Sequence, residues 1–248
     1  MNAFFKESAE TLFRHCNKEN CNDAGMLTII IADAELETIP EKMQGDHAIR
    51  KYSKEKGKPV NEVILDSNYM HTSIDRYFPG ESSRRGRPDI IYILLQVAME
   101  SILNKNGMLR IFVHTRNDIC ITVNPRVRLP KSYNRFIGLM ESLFKKGEIS
   151  SDGEVLLKAD KMDAGNCIEK NRKGDLVILS PDGEKAKLYR VISGDKDYTV
   201  IIGGFPEGDY VSDVYPLAGA YSIFREELTI WSVASEVISQ YERAVDLV

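Results

Sequence analysis

The sequence predicts an α/β protein with a largely parallel sheet. Two patterns carry this expectation. Apolar runs of strand length, at residues 27–32, 63–65, 176–179 and 198–202, alternate with segments whose apolar residues recur at helical spacing. Polar residues or glycines follow two of these runs, Asp66-Ser67-Asn68 and Gly203-Gly204, and strand ends are where α/β proteins place binding groups.

The elements follow in order. Residues 27–32 form a buried, isoleucine-rich strand. Residues 35–39 begin a helical turn, 45–59 are a charged loop, and 63–65 form a second buried strand. Pro88 opens a helix, because proline is favoured at the first helical position and Asp89 complements the helix dipole. The run 90–103 is apolar nearly all round, so this helix is deeply buried and ends at 104–107. Residues 109–114 and 119–123 pair as strands around Arg116-Asn117-Asp118. Ser132 caps the next helix, where Tyr133, Phe136, Ile137, Met140, Leu143 and Phe144 recur at helical spacing.

The stretch 145–175 is rich in lysine and aspartate and offers only a short helix around 154–161. After the strands at 176–179 and 198–202, a last helix over 228–244 puts Trp231, Ala234, Val237, Ile238 and Tyr241 on one face. Residues 1–25 are polar and read as a peripheral helix or arm. Residues 26–248 read as one domain, and Met26 stands directly before the first strand.

A chain of 248 residues with 43% hydrophobic and 28% charged side chains can bury a sizeable core. No apolar run is long enough to span a bilayer and no leader pattern is present, so the expected location is the cytoplasm, with no membrane partner. Cys16, Cys21, Cys120 and Cys167 include no CxxC pair, and His15-Cys16 with Cys21 lacks companion ligands. Free, reduced thiols and no metal are expected. His47, His71 and His114 form no HExxH pattern.

Cations concentrate in two places on a chain whose net charge is −4. Arg84, Arg85 and Arg87 precede the helix opened by Pro88. Arg126, Arg128, Lys131 and Arg135 fall within ten residues with no acid among them, and Pro125 and Pro130 stiffen that loop. Guanidinium forks beside Tyr133 and Phe136 suit RNA phosphates and unstacked bases. A solvated basic surface is the alternative. The glycines at 203, 204 and 208 let a backbone approach a ligand closely, or make an ordinary strand-to-loop turn. They form neither GxGxxG nor a P-loop.

Four blocks carry a resemblance: RRGRPDI at 84–90, LRIFVHTRNDICITVNPRVRLPKSYNRFIGLM at 109–140, VIIGGFPEGDY at 200–210 and LTIWSVA at 228–234. In this order they resemble the SPOUT-class ribosome-biogenesis methyltransferases that modify nitrogen-1 of a pseudouridine in small-subunit ribosomal RNA, the archaeal branch above all. The resemblance implies a SPOUT-type α/β fold with a deep C-terminal trefoil knot, a homodimer, and S-adenosyl-L-methionine as methyl donor.

It puts the cofactor loops on Leu179, on Gly203, Gly204, Gly208, Asp209 and Tyr210, and on Ile223, Phe224, Arg225, Glu226, Glu227 and Leu228. RNA contacts fall on Arg84, Arg87, Arg126, Arg128, Lys131 and Arg135. Arg87 and Arg128 also serve as catalytic groups that favour the deprotonated base. Asp89 either orients an arginine or accepts the proton. Lys131 stands where an arginine is usual, FREEL at 224–228 is unusually acidic for a cofactor loop, and residues 1–25 have no counterpart. A non-catalytic rRNA-binding assembly factor is the alternative, and donor titration separates the two readings.

Overall fold

The computed structural model describes residues 25–194 and 196–248. An eight-stranded sheet runs β4-β5-β3-β2-β1-β7-β6-β8. Its strands are β1 (Leu27–Ala34), β2 (Leu109–Thr115), β3 (Ile119–Val123), β4 (Glu148–Ser151), β5 (Glu154–Lys161), β6 (Asp175–Lys185), β7 (Tyr198–Gly203) and β8 (Ala220–Ser222). The neighbours from β2 through β1, β7 and β6 to β8 pair in parallel, whereas β2–β3, β3–β5 and β5–β4 are antiparallel. The mostly parallel α/β sheet agrees with the sequence.

β1 is central and buried along its whole length. Its alternation feeds two cores. Leu27, Ile29 and Ile31 face α3 (Pro88–Met99) and α8 (Ile230–Ala244), where Ile91, Leu94, Ala98, Ala234, Val237 and Tyr241 complete one cluster. Ile30 and Ala32 face the other side, with Phe112, Ile178, Ile201 and Ile168 of α6 (Ala164–Asn171). Trp231 packs only partly buried against the first cluster. The remaining α-helices among the described residues are α1 (His47–Lys56), α2 (Ser67–Tyr77), α4 (Ile102–Lys105), α5 (Tyr133–Lys146) and α7 (Leu188–Val191). Among the described residues, no helix is long and apolar enough to cross a membrane.

Several expectations are corrected. Residues 35–39 are not helical: Thr38 bridges Ile64 in an isolated antiparallel pair, which is all that remains of the strand expected at 63–65. The buried carboxylates of Glu35 and Glu37 hold this segment instead, through arginines described below. The loop expected at 45–59 contains α1, capped by Asp46 and stopped by Gly57 in the left-handed region. The apolar run 90–103 breaks after Met99 and restarts at α4, where the Ser101 hydroxyl caps the new turn. The last helix begins at Ile230, with Thr229 at its N-cap.

The helix expected around 154–161 is the strand β5. It closes a two-residue hairpin on β4 at Asp152-Gly153, both with positive φ. Cys120 and Cys167 are disulfide-bonded rather than free, with Cα atoms 6.1 Å apart. No spacing motif signals that pair: α6 seated on the sheet brings together residues 47 apart in sequence. Cys16, Cys21 and nearly all of the expected N-terminal extension lie outside the described residues.

α1 and α2 form a satellite around Ile39, Met43, Ile49, Val63, Leu65, Met70 and Ile74. Asp46 ties it together. Its buried carboxylate accepts from Ala48 N at 2.9 Å, Ile49 N at 3.2 Å, Ser73 Oγ at 3.2 Å and Arg76 Nη1 at 2.6 Å. Asp46→Ala should cost about 2 kcal/mol in urea unfolding, since it removes a cap and strands the buried Ser73 hydroxyl. Burial resists this charge, but the bonds from Ile49, Ser73 and Ala48 with the Arg76 cation outweigh it and hold the carboxyl below its ordinary 3.8. A depressed folded pKa contributes stability that is present above pH 3.8 and lost as pH falls through the lower folded value. Asp46→Ala should remove that part of the acid sensitivity.

Candidate active site and cation-rich loops

Beside Leu179, where β6 stops pairing with β7, and at the C-terminal end of β7, a cleft opens to solvent, in the place where α/β sheets bind small-molecule ligands. Three stretches wall it: 179–181 within β6, the turn after β7, and 221–228 from β8 onward. Ile202, Ile230 and Val233 supply an apolar floor. Of the residues expected around a cofactor, Leu179, Gly203, Gly208, Asp209, Tyr210, Ile223, Phe224, Glu226, Glu227 and Leu228 line this cleft.

Gly204 and Arg225 do not line it, which corrects those two expectations. Gly204 faces β1 instead: its N donates to Ala32 O at 2.7 Å and its O accepts from Glu35 N at 3.0 Å. A Cβ there would stand 2.5 Å from Ala34 Cα, so the missing side chain serves strand packing. Arg225 reaches Glu226 at 3.1 Å on the surface.

The loop after β7 is pinned from behind. The Tyr210 hydroxyl donates to Leu179 O at 2.8 Å, and its ring meets Phe205 and Tyr215 edge-on. Burial pushes the Tyr210 phenol well up, so it remains a donor. The Tyr215 hydroxyl reaches Asp209 and, at 3.1 Å, Ser180 Oγ. Asp33, at the end of β1 with a φ of 53°, accepts from Val211 N at 2.7 Å, Ser212 N at 2.9 Å and Ser212 Oγ at 2.6 Å. Sequence reasoning missed Asp33; its signal was an acid directly after a buried apolar run.

The loop before α3 does not behave as a single basic patch. Glu35 is fully buried and accepts from Arg84 Nε and Arg116 Nη1, both at 2.9 Å. Glu37 holds Arg85 through both oxygens, at 2.6 and 3.0 Å, and Glu81 bridges Arg85 and Arg116. Three acids thus face three arginines. Burial pushes the Glu35 carboxyl up against the pull of Arg116 and Arg84. Arg84, expected at the RNA, turns inward: Nη1 donates to Asp209 O at 2.6 Å and the guanidinium lies 4.0 Å from the Phe205 ring centre. The residue type was legible and its direction was not, because its partners Glu35, Phe205 and Asp209 come from distant parts of the chain.

Arg87 is half-exposed and meets Asp89 in a two-pronged pair, Nε to Oδ1 and Nη2 to Oδ2, both at 2.8 Å. That bond keeps Arg87 protonated, its pKa above the ordinary arginine value despite partial burial. Both Asp89 oxygens are therefore engaged by the arginine. The nearby Tyr133 hydroxyl donates to Asp66 Oδ2 at 2.6 Å, and burial followed by the Asp66 carboxylate raises its pKa.

The proline-stiffened loop lies along α3. Tyr92 donates to Lys131 O at 2.6 Å and Gln96 to Pro130 O at 2.9 Å. Val127 and Leu129 point in, so Arg126 and Arg128 point out. Arg126 pairs with Glu154, and Lys131 with Glu100 at 2.8 Å and Gln96 Oε1 at 3.2 Å. Among the described residues, Arg128 and Arg135 are exposed and have no carboxylate partner. Nor do the described residues hold a group of three His, Cys, Asp or Glu side chains arranged for a metal.

Comparison with known proteins agrees with this geometry. The ribosomal RNA small subunit methyltransferases Nep1 of Thermoplasma volcanium and Thermoplasma acidophilum are each 54% identical over 222 residues, covering 90% of this chain and all of theirs. A crystal structure of Archaeoglobus fulgidus Nep1 bound to S-adenosylhomocysteine superposes with a TM-score of 0.77 at 30% identity, covering 89% of this chain and 98% of that one. The model of the EMG1/NEP1 methyltransferases matches residues 29–242. The chain therefore belongs to the EMG1/NEP1 methyltransferase family.

Proposed function

We propose that this protein methylates nitrogen-1 of a pseudouridine in small-subunit ribosomal RNA, with S-adenosyl-L-methionine as donor. One observation carries the reading: the cleft and the arginine loop are structurally continuous, because Arg84 reaches from the segment that bears Arg87 to the cleft wall at Asp209. The cleft suits the donor. Ile202, Ile230 and Val233 offer apolar surface to an adenine, and Glu207, Asp209, Glu226 and Glu227 favour a cationic sulfonium and ammonium. The acidity of 224–228 is thereby accounted for.

The bound donor supplies an electrophilic methyl carbon. The chain's own residues supply alignment and charge. Nitrogen-1 of pseudouridine carries a hydrogen and is a poor nucleophile until that proton passes to solvent water. Arg87, held by Asp89, and Arg128 favour the anionic base, and Arg128 and Arg135 hold phosphates. The target base leaves its stack to bring its reacting edge to the methyl group.

Asp89 acts here as an orienting group, since Arg87 occupies both its oxygens. Asp89→Asn should loosen Arg87 and weaken RNA binding while single-turnover rates at saturating RNA keep their pH profile. Disappearance of the profile's acidic limb would make Asp89 the proton acceptor instead.

The reading extends to a homodimer, to residues 26–248 as the working unit with 1–25 peripheral, and to the cytoplasm as the site of action. It also includes a deep trefoil knot around the cleft. In support, β6 pairs in parallel with both β7 and β8, and Gly183 passes so close to residues 220–221 that a Cβ would stand 2.6 Å from Tyr221 N. The direct test is mass-spectrometric mapping of methylpseudouridine in small-subunit RNA incubated with protein and donor. Mass unchanged at every pseudouridine, with donor bound, would favour the assembly-factor alternative.

A further inference from the structure

Arg84 is spent on neither solvent nor a simple ion pair. Its side chain is 16% exposed and that of its partner Glu35 is fully buried. Three of its surfaces are committed: Nε to Glu35 Oε1 at 2.9 Å, Nη1 to Asp209 O at 2.6 Å, and its face to the Phe205 ring at 4.0 Å. Phe205, Gly208 and Asp209 all line the cleft, and Arg84 stands behind them. Contact is tight enough that a Cβ on Gly208 would lie 3.0 Å from Arg84 Nη1.

Glu35 meets both sides through its backbone as well. Its N donates to Gly204 O and its O accepts from Arg87 N, both at 3.0 Å. Arg87 lies three residues beyond Arg84 and belongs to the RNA-facing pair with Asp89. Arg116 takes the second oxygen of Glu35 and so fixes the carboxylate that fixes Arg84. The cleft wall at 205–209 and the segment 84–87 are thus joined through Arg84 and Glu35.

We propose that Arg84 is a positioning residue that couples the methyl-donor cleft to the RNA-gripping loop, so that donor and RNA each strengthen binding of the other. The proposal rests on the methyltransferase reading above. Coupling of this kind is reciprocal by thermodynamic necessity. Arg84 touches neither ligand in this scheme. It holds the wall loop in the shape the donor requires and ties that shape to the placement of Arg87.

The test is calorimetric titration of S-adenosylhomocysteine into the full-length protein, alone and saturated with a pseudouridine-bearing small-subunit rRNA fragment. Wild type, Arg84→Met and Arg84→Lys are compared. Wild type should bind the probe about tenfold more tightly with RNA present, within the usual range of coupling between sites. Arg84→Met should weaken binding of the probe alone about tenfold and bring the RNA-dependent factor to about one, with affinity for RNA alone retained.

Lysine keeps the charge beside Glu35 but lacks the fork that also reaches Asp209 O. Arg84→Lys should therefore fold as wild type and still lose the coupling, which keeps the test decisive if Arg84→Met is unstable. Undiminished coupling in Arg84→Lys overturns the proposal, as does a wild type whose probe affinity ignores RNA. Failure of wild type to bind the probe at all would instead remove the methyl-donor reading on which the proposal stands.

Discussion

Replacing the basic loop's two guanidinia that lack a carboxylate partner, Arg128→Ala with Arg135→Ala, should lower affinity for small-subunit rRNA about a hundredfold, roughly 2.7 kcal/mol. All four cations of this loop are expected at the RNA, but the structure separates them. Arg126 is paired with Glu154 and Lys131 with Glu100, so RNA must compete with a carboxylate for each. Arg128 and Arg135 have no such competitor, and loss of a phosphate contact made by a free guanidinium costs about tenfold. The salt dependence is the second readout. Removing two phosphate contacts should reduce the slope of log affinity against log salt by about 1.5. Binding titrations across a potassium chloride series measure both. Arg126→Ala with Lys131→Ala should lose several-fold less affinity; equal losses from the two double variants would show that the ion pairs do not rank the cations. Affinity for S-adenosylhomocysteine in the absence of RNA should be unchanged in either.

Gly204→Ala should cost about 3 kcal/mol in urea unfolding, at the upper end of overpacking penalties. The added methyl would meet Ala34 Cα at 2.5 Å and both Ala34 Cβ and Ile31 Cγ2 at 2.8 Å. These belong to the central strand, buried along its length, whose backbone cannot retreat without breaking its bonds to β2 and β7. Gly203→Ala is the instructive contrast. Its methyl would meet the Phe205 ring at 2.5 Å, and a side chain can turn where a strand cannot. Stability should fall less, yet donor binding should suffer, because Phe205 both lines the cleft and supports Arg84. Unfolding of Gly204→Ala at the wild-type midpoint would mean that the turn after β7 is more yielding than this geometry allows.

Legibility followed the locality of the signal. α3 was readable because Pro88 and Asp89 sit at its first positions and the run behind them is apolar. α1 carried equally local marks, Asp46 before it and Gly57 after it. They were masked by its charge: of its ten residues only Ile49 and Ser53 are buried, so few apolar side chains mark its inner face. β5 was misread as a helix because its alternation is weak, although the Asp152-Gly153 hairpin signal stood directly before it. The disulfide between Cys120 and Cys167 had no local signal at all.

The candidate site divides in the same way. By itself the sequence determined the α/β class, the central strand, the helix behind Pro88, the cleft segments around the glycine turn, and the two cation-rich loops. Each depends on residue types within a few positions of one another, and four such blocks in order sufficed for the resemblance. Only the tertiary structure decided which cations are free. Whether an arginine meets RNA or a carboxylate depends on where the chain returns: Glu35 and Asp209 reclaim Arg84, Glu37 and Glu81 reclaim Arg85, Glu154 reclaims Arg126 and Glu100 reclaims Lys131. Charge is written in the sequence, but its neutralisation acts over a few ångströms in space between groups up to 125 residues apart, and only the folded chain sets those distances.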